Sequence, residues 1–127
     1  MTQNTPPVTQ SLEQKRAQHA WELTADAPSD EYLSLVRGAA ATIMTSGLGQ
    51  AIAFWISKDE DAHAQVADAL AKWLLRDHGE YRDTSPNRRN VLDVIRTCDS
   101  VTYRQYTSEA MAFLQWLKRF AEAKRLK

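Results

Sequence analysis

The end of the sequence carries a long amphipathic pattern that strongly limits what the chain can fold into. Apolar side chains recur at steps of three and four, which places them on one face of a long helix: Tyr103, Tyr106, Ala110, Phe113, Leu114, Leu117 and Phe120. The other face is polar and mostly cationic: Arg104, Gln105, Ser108, Gln115, Lys118, Arg119 and Glu122. We therefore predict a helix from about Thr102 to Lys124, with one face for a protein core and the other for water or a partner.

Five further segments have helical patterns, and none shows the alternation of an exposed strand. The first, from about Ser11 to Thr24, should bury Leu12, Ala20, Trp21 and Leu23. The second follows a predicted N-cap at Ser29, and its inner face should contain Tyr32, Leu35, Val36, Ala39, Ile43 and Met44. The third, Leu48 to Ser57, is apolar on nearly all sides, which is typical of a central helix.

The fourth helix should start near Lys58 to Asp61 and stop near Gly79, and the fifth should cover about Pro86 to Cys98. We thus expect an all-α fold, a single compact bundle of about six helices with a long C-terminal helix. Its domain should span residues 11–127, after a flexible tail over residues 1–10 that contains Pro6 and Pro7.

A short turn, Ser46-Gly47-Leu48-Gly49, separates the second and third helices. Gly47 should adopt a left-handed conformation that ends one helix, and Ser46 should cap the next. The free N–H groups at a helix start can also hold a phosphate. Tight turning between the helices is the favoured interpretation, because the motif is short.

The charge is balanced overall but not along the chain. Formal net charge is zero, which argues against a free-standing, high-affinity nucleic-acid binder. Residues 1–83 hold seven basic and twelve acidic residues, whereas residues 84–127 hold nine and four. Such a separation suits head-to-tail docking of copies or a basic edge for phosphates, although uneven solvated faces explain it equally well.

The cationic residues fall into two groups. Arg88 and Arg89 lie at the start of the fifth helix, where positive charge opposes the helix dipole, so a partner would help to explain them. The last helix presents Arg104, Lys118 and Arg119, extended by Lys124, Arg125 and Lys127. Trp116 lies off the centre of the apolar stripe and so belongs at a helix edge or a protein contact.

Catalytic and metal-binding patterns are not evident. His19, His63 and His78 are far apart, and no zinc-ligand pair, nucleophile motif or phosphate-binding loop is present. We expect no enzyme activity, no cofactor and no metal. The longest apolar run, Ala51 to Ile56, is too short to span a membrane. With no secretion signal at the start, the expected protein is soluble and cytoplasmic.

Three stretches and the opening SLEQKRAQHAWE together resemble the small subunit of the type III-B CRISPR effector, the Cmr complex. The stretches are LVRGAAATIMTSGLGQAIAFWISK (Leu35 to Lys58), DALAKWLL (Asp68 to Leu75) and YRQYTSEAMAFLQWLKRFAEA (Tyr103 to Ala123). The resemblance covers nearly the whole chain except the tail and the 79–90 loop. It rests on the ordered set of stretches, since no single motif is diagnostic.

The resemblance implies a non-catalytic helical subunit. Copies of such subunits stack into a short filament beside the backbone subunits that hold the CRISPR RNA. They help to line the channel where target RNA pairs with the guide, and they contact the large subunit. On this basis Arg37, Arg104, Lys118 and Arg119 are the first candidates for RNA or subunit contacts, followed by Arg88 and Arg89.

Two alternatives remain open. A small subunit of a type III-A effector would have a related role. A helical protein-interaction module or DNA-binding regulator would need an exposed polar recognition helix, and the apolar segment from Leu48 to Ile56 fits that role badly.

Overall fold

A computed structural model describes residues 10–24, 26, 28–81 and 84–125. Within these residues the chain forms six α-helices, a short 3-10 turn and no strand, so the predicted all-α bundle is confirmed. The helices are α1 (Leu12–Leu23), α2 (Asp30–Ser46), α3 (Leu48–Lys58), α4 (Asp61–Leu74), α5 (Arg88–Thr97) and α6 (Ser100–Arg125), and the 3-10 turn is Gly79–Tyr81. Nearly all of the predicted tail, residues 1–9, lies outside the described residues.

Local capping explains several helix starts. Ser11 and Gln14 form a capping box at α1, and the Ser29 hydroxyl accepts the Tyr32 N–H at α2, as the sequence predicted. Asn87 and Asn90 form a second box at α5. The prediction of Ser46 as the cap of α3 was wrong, because Gly47 fills that position without a side-chain hydrogen bond.

The long helix α6 organises the bundle together with α4. The contacts of Arg16 with Glu109 and of Thr24 with Lys124 show that α6 runs parallel to α1. The contacts of Asp30 with Arg125, and of Gly49, just after the end of α2, with Tyr103, show that α6 runs antiparallel to α2. The helix α4 packs against all five other helices and is the most central element. This corrects the expectation that α3 is central, since α3 packs mainly between α2, α4 and α5.

The core forms around large buried side chains of α4 and α6. Trp73 of α4 stacks on Phe113 of α6 with ring centroids 5.6 Å apart, and both rings are fully buried. Three predicted core residues are instead exposed, because a helical pattern predicts a face but not how far the neighbouring helices cover it: Leu12 (46%), Trp21 (40%) and Met44 (78%). Phe54, on the apolar helix α3, is also exposed.

The fourth helix also ends earlier than predicted. It stops at Leu74, and Gly79 opens the 3-10 turn rather than closing the helix. Among the described residues, no helix is long and apolar enough to cross a membrane.

Candidate RNA- and subunit-contact surfaces

Two of the predicted contact residues meet at one carboxylate. Arg37 reaches from α2 to Glu122 of α6, with its Nε 3.0 Å from Oε2. Arg119 lies one turn before Glu122 and places Nη1 3.4 Å from Oε1 of the same side chain. We call Arg37, Arg119 and Glu122 the Glu122 cluster. It brings two guanidinium groups from different helices to one place on the surface.

The exposure within the Glu122 cluster is uneven. The side chains of Arg37 and Arg119 are 55% and 69% exposed, whereas that of Glu122 is 28% exposed. The hydrogen bond from Arg37 is the main cause that holds the pKa of Glu122 below its usual value. The cluster therefore presents two positive groups to solvent above a carboxylate that is ionised at neutral pH.

The other predicted residues of α6 are not all near this cluster. Lys118 is half-buried and adjoins Arg119 in sequence. Arg104 is exposed and lies fourteen residues before Lys118, about 21 Å along the helix. Lys118 lies four residues before Glu122, on the same side of α6, whereas Arg104 belongs to a separate surface near the start of α6.

Arg88 and Arg89 have different environments at the start of α5. The Arg88 guanidinium lies 3.0 Å from Asp68 of α4, and its backbone N–H donates to the same carboxylate at 2.8 Å. Asp68 thus supplies within the chain the partner that Arg88 was predicted to need. Arg89 is exposed and has no ion pair among the described residues.

The basic edge at the end of α6 is smaller than the sequence suggested. Lys124 is buried at 7% exposure and donates to the carbonyl oxygens of Trp21 and Thr24, so it caps the end of α1. Arg125 pairs with Asp30 at the start of α2. Lys127 lies outside the described residues. Lys124 and Arg125 therefore hold helices together instead of extending a cationic face.

Trp116 lies at a helix edge, as predicted. It is half-buried and packs on Phe120 at 5.4 Å, and Phe120 meets Trp21 edge-to-face at 5.2 Å. With Arg119, Trp116 lines a shallow groove between α1 and α6. Trp116, Phe120 and Trp21 thus form a row of ring contacts where α6 packs on α1.

The start of α3 already has an internal partner. The Tyr103 hydroxyl, from α6, accepts the Gly49 N–H at 3.0 Å. Its oxygen lies where a phosphate bound by that N–H would have to be. Tight turning, the favoured interpretation of the glycine motif, accounts for this segment.

Titratable groups line several clefts, and one of these lies between the end of α4 and α6. Its lining includes Arg76, Asp77, His78, Tyr106 and Glu109. Two of these groups, Arg76 and Glu109, already have partners within the chain. The Arg76 guanidinium lies 3.5 Å above the Trp73 ring, and Glu109 accepts hydrogen bonds from Arg16 and Trp73.

No group of three or more metal-ligating residues occurs in the described part of the chain. The fold and its surfaces thus define a compact helical protein whose prominent features are surface charges and an aromatic edge.

Comparison with known proteins identifies the family. The family model for CRISPR-associated Cmr5 proteins matches residues 12–124, so the chain belongs to the Cmr5 family. It is similar to the CRISPR system Cmr subunit Cmr5 of Thermus thermophilus, with 31% identity over 111 residues, covering 84% of this chain and 90% of that protein.

The fold is also similar to a solved one. The crystal structure of a CRISPR-associated Cmr5 family protein from Thermus thermophilus matches with a TM-score of 0.72 and 26% identity. The match covers 90% of this chain and 97% of that one. The predicted resemblance to the small subunit of the type III-B effector is thus confirmed at the level of family and fold.

Proposed function

We propose that this chain is a non-catalytic small subunit of a type III-B effector complex. In this proposal copies of the chain stack beside the backbone subunits, contact the large subunit, and face the duplex of guide RNA and target RNA. The observation that carries the RNA contact is the Glu122 cluster, where Arg37 and Arg119 expose neighbouring guanidinium groups on two packed helices. Guanidinium groups suit phosphate binding because their N–H donors match phosphate oxygens.

The modest size of this surface fits a subunit that acts in several copies. The formal net charge of each copy is zero, and the proposed RNA contact uses two arginines. One copy can therefore neutralise only a few phosphates and should bind RNA weakly. The slope of its log affinity against log salt should be shallow, about −0.7 for each phosphate contacted on a single strand. Copies held in register act together, and weak contacts then add up to firm retention. Base pairing with the guide, rather than this chain, would read the sequence.

The test is a charge reversal with a closely matched control. Arg119→Glu in the reconstituted complex should weaken target-RNA binding about tenfold or more, because in every copy a repulsion replaces an attraction to phosphate. Arg96→Glu is the control: Arg96 is 67% exposed and lies 3.3 Å from Asp93 at the same helical spacing as Arg119 and Glu122. Filter binding at fixed salt measures both variants. Equal affinity for wild type and Arg119→Glu would remove this surface from the proposal.

The non-catalytic part of the proposal needs a kinetic test. With target RNA at saturating concentration, a complex carrying Arg119→Glu should cleave bound RNA at the wild-type single-turnover rate. Only the affinity should change, because the proposed contact holds RNA and does not touch reacting atoms. A reduced rate at saturation would show that this chain contributes to the chemical step.

A further inference from the structure

Glu122 accepts a hydrogen bond from each of two arginines, Arg37 and Arg119. We infer that Glu122 competes with RNA phosphate for Arg37 and Arg119, and so sets a low RNA affinity for each copy of the chain. This inference rests on the proposed function, in which the two arginines contact RNA. In this inference Glu122 limits the affinity of the chain for RNA.

The geometry supports competition at the arginine donors themselves. Arg37 gives its Nε–H to one carboxylate oxygen of Glu122, and Arg119 gives an Nη1 hydrogen to the other, at 3.0 and 3.4 Å. Both oxygens of the carboxylate are thus occupied by the donor type that binds phosphate. A phosphate that binds either guanidinium group therefore also lies close to the negative charge of Glu122.

The charges indicate that Glu122 competes with phosphate for the arginines and is not needed to position them. Because exposed ion pairs are weak, the two arginine side chains should keep nearly the same conformations when the Glu122 charge is removed. The Glu122 carboxylate weakens the attraction of Arg37 and Arg119 for a phosphate, because it neutralises part of their positive charge at hydrogen-bond distance. Glu122 stays ionised at neutral pH, since Arg37 and Arg119 both hold its pKa below the usual value. Removal of this charge should therefore tighten binding.

The experiment replaces only the charge of Glu122. In the reconstituted complex, Glu122→Gln should bind target RNA about three- to tenfold more tightly than wild type at moderate salt. Glu80→Gln is the control, because Glu80 is an exposed acid on the 3-10 turn and its replacement changes the net charge equally. This control should stay within about twofold of wild type, since remote surface charges are screened.

A double-mutant cycle shows whether Glu122 acts through the arginines. In a complex that already carries Arg37→Gln and Arg119→Gln, adding Glu122→Gln should change RNA affinity less than about twofold. An undiminished gain there would mean that Glu122 repels RNA without the arginines and would overturn the inference. A loss of affinity in the single variant Glu122→Gln would overturn it too, by showing that Glu122 positions the arginines for binding.

The same variants separate this inference from the proposed function. Wild-type affinity in the Arg37→Gln, Arg119→Gln complex would remove the arginines as RNA contacts and overturn both. Weaker binding in that complex, without tighter binding in Glu122→Gln, would leave the proposed function intact and overturn the inference alone.

Discussion

At the scale of single residues, Glu109 accepts more hydrogen bonds from other helices than any other acid in the described part of the chain. It accepts two hydrogen bonds from Arg16, at 2.5 and 2.9 Å, and a third from the Trp73 indole at 2.9 Å. Glu109→Gln should lower the free energy of unfolding by about 2 kcal/mol, because charge-assisted bonds between partly buried groups are lost. Urea denaturation measures this change. The exposed Glu22→Gln should stay within about 0.5 kcal/mol of wild type.

The effect of Glu109 should depend on pH in a defined direction. The hydrogen bond from Arg16 is the main cause that lowers the pKa of Glu109 in the folded protein. A lowered pKa stabilises the fold above the unfolded pKa of a glutamate, about 4.3, and that contribution is lost as pH falls through the folded pKa. The stability difference between wild type and Glu109→Gln should therefore shrink below about pH 4.3. If the difference stays constant as the pH falls well below that value, packing and not charge causes it.

At the scale of helices and turns, the two glycines beside Leu48 should respond differently to substitution. Gly47 has φ +87° and ψ 158°, a backbone region that is essentially restricted to glycine. Gly47→Ala should therefore destabilise the protein by about 1–3 kcal/mol. A Cβ on Gly49 would lie 3.4 Å from Ile95 and 3.5 Å from Tyr103, which are ordinary contacts. Gly49→Ala should thus be neutral or stabilise the helix by up to about 1 kcal/mol.

Thermal unfolding of the two variants tests this contrast, with the helical content checked by circular dichroism. Gly47→Ala should melt several degrees below wild type and Gly49→Ala at or above it. Equal losses in both variants would show that the turn needs space at Gly49 as well as an unusual backbone at Gly47.

Sequence patterns predicted which segments are helical and which face of a helix is buried. They predicted less well where the helices are capped and which residues of different helices meet. Periodicity placed Phe113 and Leu117 inward because local spacing alone decides which residues share a helix face. It did not predict that Lys124 is buried, because the carbonyl groups it binds belong to Trp21 and Thr24, at the far end of the sequence. The sequence correctly predicted that Gly47 ends α2, but not that the same residue is the N-cap of α3. Gly47 has the positive φ that the sequence predicted, but its ψ of 158° lies outside the left-handed helical region.

At the scale of the whole molecule, the sequence identified the family and a set of candidate cations, but not how they group. The sequence alone shows that Lys118 and Arg119 are neighbours on α6. The proximity of Arg119 and Arg37 depends on the antiparallel packing of α2 and α6, which the sequence did not predict. The ion pair of Arg88 with Asp68 likewise joins two helices that are separate in sequence. Of the six candidate residues, the structure brings Arg37 and Arg119 together at one carboxylate.

The salt dependence of RNA binding tests whether these two arginines bind phosphate in the assembled complex. Arg37→Gln with Arg119→Gln should make the slope of log affinity against log salt shallower by about 0.7 for each phosphate that a copy no longer neutralises, because fewer counterions are released from RNA. Arg96→Gln, which removes one similarly exposed cation from α5, should leave the slope unchanged. Filter binding across a salt series gives the slopes. If affinity falls while the slope does not change, the arginines act through assembly of the complex, because removing a phosphate-binding cation must alter the salt dependence.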